Sequence, residues 1–182
     1  SWKRYDADWR ESTYKNYFWM VPYDLQGLID SIGGKEAAEK RLDEMFRRLD
    51  ASYGDEWFAS GNEPSFQIPW IYNWAGAPYK AQQVIRRILN EQYSSRVNGL
   101  PGNDDLGSMG AWYVFASIGL FPEIPGVGGF SVNSPVFRKI VLHLPEGDVI
   151  IKGGDEKKEY IHSLSLDGKK MEGTWIDWSD LY

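Results

Sequence analysis

The sequence predicts a mostly α-helical chain, part of a helical toroid or solenoid, that ends in an antiparallel β region. Three observations predict it. Apolar residues recur at helical spacing through the first two-thirds, as Ala38, Leu42, Met45, Phe46 and Leu49 and again as Ala81, Val84, Ile85, Ile88 and Leu89. Turn-rich passages that carry carboxylates separate these helices. After Pro122 the texture changes to a glycine-loosened chain with period-2 segments. No fixed repeat is present, which counts against a regular repeat protein.

Taken in order, the chain opens on Trp2, Tyr5, Trp9, Tyr14, Tyr17, Phe18 and Trp19, interrupted by Arg10 and Glu11. Pro22 in a first turn, with Asp24 just inside it, starts a helix through Leu25, Leu28, Ile29 and Ile32 that Gly33-Gly34 ends. A second helix is expected over 35–51, apolar on one face and charged on the other. A turn-rich passage from Trp57 to Ser65 carries Glu63. A short helix near Pro69 follows, then one over 78–93 and one ending at Gly119. Strands are expected over 136–144, 148–152 and 160–166, with turns at Glu146-Gly147 and Asp167-Gly168.

Composition narrows the function classes. With 182 residues, 42% of them hydrophobic, the chain can bury one domain core. A net charge of −6 and the lack of a basic run argue against a nucleic-acid partner. No apolar run approaches the roughly 20 residues of a membrane span, so no membrane partner is expected. Cysteine is absent, which excludes disulfides and thiolate catalysis. His143 and His162 are too few for a histidine-built zinc site and read as structural residues of the β region. The nine Trp and eleven Tyr fit either a large core or a groove that stacks on sugar rings. The opening Ser1-Trp2-Lys3-Arg4-Tyr5 reads as mid-domain sequence, so the chain is expected to be cut from a larger protein.

Three turn-borne acidic sites stand out: Glu11 among aromatics, Glu63 after Gly61-Asn62, and Asp104-Asp105 after Gly102-Asn103. Glycosidic hydrolysis needs one protonated carboxyl and one ionised carboxylate on opposite sides of the scissile bond. A carboxyl in an aromatic setting is desolvated and stays protonated, which describes Glu11. A carboxylate at a helix start is kept ionised by the dipole and the free N–H groups, which describes Asp105. Asn62 and Glu63 are hard oxygen ligands that suit Ca²⁺. The competing class is a non-catalytic carbohydrate-binding or structural helical domain whose acidic residues only cap helices and turns.

Two long motifs sharpen the choice. Gly61-Asn62-Glu63-Pro64-Ser65 and Leu100-Pro101-Gly102-Asn103-Asp104-Asp105-Leu106-Gly107-Ser108-Met109-Gly110-Ala111-Trp112-Tyr113 resemble glycoside hydrolase family 92. So do Glu11 with Tyr17, Trp19, Val21, Pro22 and Asp24, and later Ser134-Pro135-Val136-Phe137, all in order along the chain. The resemblance implies a calcium-dependent exo-α-mannosidase that inverts the anomeric carbon, acting on a mannose-containing glycan and expected to favour α-1,2 linkages. It implies an N-terminal β-sandwich domain followed by an (α/α)6 barrel. In that scheme residues 1–122 are the last barrel helices and 123–182 an antiparallel β appendage. By motif position Glu11 looks like the general acid, Asp105 the general base and Asp104 its support. Trp19, Asn103 and Trp57 are the candidates for sugar contact. Asn62 and Glu63 are placed near a Ca²⁺ that binds the mannose 2- and 3-hydroxyls. The family is usually exported, so a secreted or periplasmic setting is implied, and this chain alone is expected to be weakly active or inactive.

There are departures from the family pattern. Tyr23 stands where histidine is common, Asn103 where an acid is frequent, and Ser12-Thr13 replaces a more usual Gly-Asn pair. Gly110 falls where Ser or Thr-like variation is found. For an inverting pair, the Glu11 and Asp105 carboxyls are expected to stand roughly 6.5–9.5 Å apart.

Overall fold

The protein is described here by a computed structural model that covers residues 9–181. Trp2 and Tyr5 of the aromatic opening lie outside them. The described chain is a helical layer followed by small antiparallel sheets, in the order the sequence predicts. No helix among these residues is long and apolar enough to cross a membrane.

The helices are α1 (Tyr14–Tyr17), α2 (Leu25–Ser31), α3 (Lys35–Met45), α4 (Ile71–Trp74), α5 (Pro78–Glu91) and α6 (Ser108–Ile118). Asp24 is the N-cap of α2 rather than its first-turn residue, its carboxylate accepting from Gly27 N at 3.0 Å. Helix α3 stops at Met45, six residues short of the expected end at 51. The chain there turns extended: Phe58 N donates to Met45 O, Ala51 N donates to Phe58 O, and Asp50 bridges Ala59. The apolar spacing continued through Leu49, but these cross-chain bonds outweighed helix propensity. Gly119, at φ 87°, closes α6 in the left-handed conformation.

The core is aromatic and aliphatic. Trp70, Ile68, Ile71, Ile85, Leu42 and Met109 are essentially inaccessible, and burying each such side chain is worth about 1.5–3 kcal/mol. Trp70 stacks on Phe121 at 4.0 Å and Trp112 on Tyr93 at 5.7 Å, so α6 and the chain beyond it are held against α4 and α5.

The β region holds β1 (Leu120–Phe121), β2 (Gly129–Val132), β3 (Lys139–Leu144), β4 (Gly147–Lys152), β5 (Ser165–Leu166), β6 (Lys169–Lys170) and β7 (Trp175–Asp177). The expected β3–β4 hairpin is present with Leu144 opposite Gly147, and Asp167-Gly168 turns β5 into β6 with both residues at positive φ. The expected strand over 160–166 shrinks to Ser165–Leu166. The sheet β1-β2-β7 was not expected at all, because its strands are two to four residues long and too short to show alternation.

Two buried charged residues tie the β region to the helices. Arg86 of α5 donates to the carbonyls of Ser134, Pro135, Asp155, Glu156 and Lys158 at 3.1–3.4 Å. Glu123, 2% exposed, accepts from Ser131 Oγ and from Trp74 Nε1, which lies at 3.2 Å. Burial pushes the Glu123 carboxyl up to about 7, while those two hydrogen bonds pull the other way. A raised carboxyl pKa means the folded state binds the proton more tightly than the unfolded chain does. Its stabilisation is therefore complete below about 4.5 and is lost as pH rises through about 7. In urea unfolding at pH 5 and pH 8, Glu123→Gln should gain about 3 kcal/mol on the parent between the two pH values. Parallel pH dependences would contradict this.

Candidate active site

Three segments meet at one hollow of about 410 Å³, lined by Glu11, Tyr53, Asn62, Asn103 and Asp105 and by two glycines, Gly61 and Gly102. The meeting depends on two glycines. A Cβ on Gly61 would lie 2.5 Å from the Pro101 carbonyl oxygen, and one on Gly102 would collide with the Gly61 carbonyl. The two Gly-Asn passages therefore pack backbone on backbone, and this brings Asn62 and Glu63 beside Asn103, Asp104 and Asp105.

Glu11 precedes α1 at φ 58°, and Asp105 precedes α6 at φ 45°. Among the described residues only four non-glycine residues have positive φ, and both proposed reacting carboxyls are among them. Such conformations cost of order 1–3 kcal/mol each and persist only when surrounding bonds hold them. For Glu11 the bond is Asn62 Nδ2 donating to its carbonyl at 2.7 Å. For Asp105 it is Ser108 N donating to its carbonyl at 3.3 Å.

The helix-start carboxylate is not the expected one. Gly107 is the N-cap residue of α6, and the side-chain cap comes from Asp104, whose Oδ1 accepts from Gly110 N at 3.1 Å and whose carbonyl accepts from Met109 N. Asp105 instead turns towards Glu63. The hydrogen bond with the Glu63 carboxyl holds the Asp105 pKa above the ordinary carboxylate value, followed by partial desolvation and the charges of Glu63, Glu11 and Asp104. The reason is local: Leu106 and Gly107 also adopt positive φ, which rotates Asp105 away from the first helical turn.

Glu11 also departs from expectation. Trp9 stacks on Tyr17 at 5.4 Å nearby, and the Tyr17 hydroxyl donates to Arg10 O at 2.6 Å. The Glu11 residue itself is exposed, so the aromatic desolvation expected for it is not supplied by these neighbours.

Two of the three expected sugar contacts lie elsewhere. Trp19 is 2% exposed and belongs to the hydrophobic core. Trp57 is half-buried, with the Arg48 guanidinium 4.1 Å over its ring. Asn103 does line the hollow. Among the described residues the aromatic side chain at the hollow is Tyr53, 53% exposed; its place in the polar turn Ser52-Tyr53-Gly54-Asp55 is the only signal the sequence gives of it. Ser108 is a further polar residue beside the hollow. Its Oγ lies 3.0 Å from Glu63 Oε1 and 2.9 Å from the Asp104 carbonyl, sharing one hydroxyl proton between them.

The donor chemistry suits a hard cation. Among the described residues the hollow offers carboxylate and amide oxygens and is lined by no lysine or arginine; Glu63 lies against its Asp105. Among the described residues, no group of three or more Asp, Glu or His side chains is arranged to hold a metal alone. A Ca²⁺ at the expected position beside Asn62 and Glu63 would need further oxygens, since the ion takes 6–8.

The model of the glycosyl hydrolase family 92 catalytic domain matches residues 1–182. An uncharacterized secreted glycosidase of Arthroderma benhamiae is 31% identical over 176 residues, covering 91% of this chain and 22% of that protein. The GH92 α-mannosidase BT3965 of Bacteroides thetaiotaomicron, solved with mannoimidazole, superposes with a TM-score of 0.83 at 32% identity, over 93% of this chain and 24% of that one. The GH92 inverting mannosidase BT2199 of the same species gives 0.85 at 29% identity, over 98% and 28%. The chain spans about a quarter of the length of these relatives, and its helices followed by small antiparallel sheets are similar to theirs. With the acidic hollow in place and the match running from the first residue to the last, the chain belongs to glycosyl hydrolase family 92.

Proposed function

We propose that this chain carries the acid and the base of an exo-acting α-mannosidase that hydrolyses terminal α-linked mannose with inversion, α-1,2 linkages first. What supports the reading is that Glu11 and Asp105, from segments 94 positions apart (105 − 11), line the same hollow. Glu11 gives its proton to the glycosidic oxygen as the C1–O bond breaks. Asp105 takes a proton from the water whose oxygen bonds to C1 on the opposite face. The mannose leaves with C1 inverted, and exchange with solvent returns one proton to Glu11 and removes one from Asp105.

Asn62 and Glu63 would hold Ca²⁺, which when bound neutralises charge in the hollow and polarises the sugar 2- and 3-hydroxyls. The remaining ligands would come from water, sugar and the rest of the enzyme. Asn103 binds the sugar, and Asp104 holds Asp105 in place through the α6 cap. Residues 1–122 are read as the last helices of an (α/α)6 barrel and 123–182 as a β appendage. An N-terminal β-sandwich domain completes the site, so this chain alone is weakly active or inactive. The Arthroderma relative's name supports a secreted enzyme.

The test is mannose release from α-1,2-mannobiose by the full-length protein. Activity should disappear with EDTA and return with Ca²⁺, and NMR should show β-mannose as the first product. Release of α-mannose, or full activity in EDTA, would overturn the reading.

A further inference from the structure

The short helix α1 begins three positions after Glu11, yet four residues are too few to hold a helical turn by local bonds. Its position has to be imposed from outside. The inward-facing residue is Asn16, which is wholly inaccessible. Asn16 Nδ2 donates to Trp57 O at 3.1 Å. Its Oδ1 accepts from Ser65 Oγ at 3.0 Å and from Ala59 N at 3.4 Å. Ser65 is likewise inaccessible and closes the 3-10 turn Glu63–Ser65. Thr13 Oγ1 adds a bond to Asp55 O at 3.3 Å.

We propose that Asn16 is a positioning residue for Glu11. Its amide fixes the Glu11 segment in register with the loop that carries Asn62 and Glu63, so that Glu11 reaches the glycosidic oxygen. A buried amide that spends its oxygen on two partners and its nitrogen on a third, all in one loop, acts as a three-point clamp. Core packing alone does not demand an amide there: an apolar side chain of that size would fill the space but leave Trp57 O, Ala59 N and Ser65 Oγ without the partner they now have. Asn62 repeats the pattern one step closer, through its bond to Glu11 O. A loosened clamp would displace the acid but not Asp105, which is held separately through the start of α6.

The inference rests on Glu11 being the general acid, and the experiment separates the two. Asn16→Ala, Asn16→Asp and Ser65→Ala are made in the full-length enzyme beside Glu11→Gln. Each is assayed on aryl α-mannosides with poor and with good leaving groups. A good leaving group departs without a proton, so only acid-dependent turnover responds. For the clamp variants that fold, kcat on the poor leaving group should fall about tenfold or more, since misplacement by about 1 Å can cost ~100-fold. On the good leaving group it should change less than about threefold, and KM should hold for both. Ser65→Ala, which removes only one hydroxyl, keeps the test available if the Asn16 variants do not fold. Equal losses on both substrates, or none, overturn the proposal when Glu11→Gln still shows the split. If Glu11→Gln shows no split, the acid assignment itself fails.

Discussion

Replacing Asp105 by Asn in the full-length enzyme is expected to lower kcat about 1,000-fold on every mannoside, whatever its leaving group. Abstraction of a proton from water is needed for each of them, and the carboxyls beside Asp105 already serve other bonds. Glu63 is engaged with Ser108 Oγ, and Asp104 with Gly110 N. Stability should barely change, because Asp105 is exposed and the cap on α6 belongs to Asp104. Asp104→Ala supplies the contrast. Loss of a cap costs about 1 kcal/mol of folding, with a smaller effect on turnover. If Asp105→Asn kept its turnover and lost stability instead, Asp105 would be a turn residue and nothing more.

The second large effect is expected at Glu11. Glu11→Gln keeps the shape of the side chain and the backbone bond from Asn62 but has no proton to give. On a mannobiose, whose leaving group is a poor one, kcat should fall on the order of 100- to 10,000-fold. Thermal unfolding should be unaltered, since the residue is exposed. An unchanged rate on the disaccharide would exclude Glu11 as the acid.

Much of this arrangement was legible because backbone exceptions are written in specific residue types. Gly33-Gly34 after α2, Pro78 opening α5 and Gly119 closing α6 each require or allow one conformation, and the helices stop or start there. The acidic residues could be picked out because they sit in turns, where a solvated helix face gives no reason for them. Which way a side chain points was not legible. Asp104 and Asp105 are adjacent carboxylates of the same type, and only the positive φ of Asp105, Leu106 and Gly107 decides which one caps the helix. Trp19 and Tyr53 are both aromatic, but α1 turns Trp19 into the core while the bridge between Asp50 and Ala59 holds Tyr53 near the hollow. The β1-β2-β7 sheet is not legible in the sequence because its strands are set by partners distant along the chain rather than by a pattern of their own.

The most direct measurement is the dependence of log kcat on leaving-group pKa across a series of aryl α-mannosides, taken side by side for the parent, Glu11→Gln and Asp105→Asn. The slope should become steep for Glu11→Gln, converging on the parent rate at the best leaving groups. For Asp105→Asn it should stay as shallow as the parent's, displaced downward throughout. Two variants with the same slope would mean that these carboxyls do not divide the proton-giving and proton-taking tasks between them.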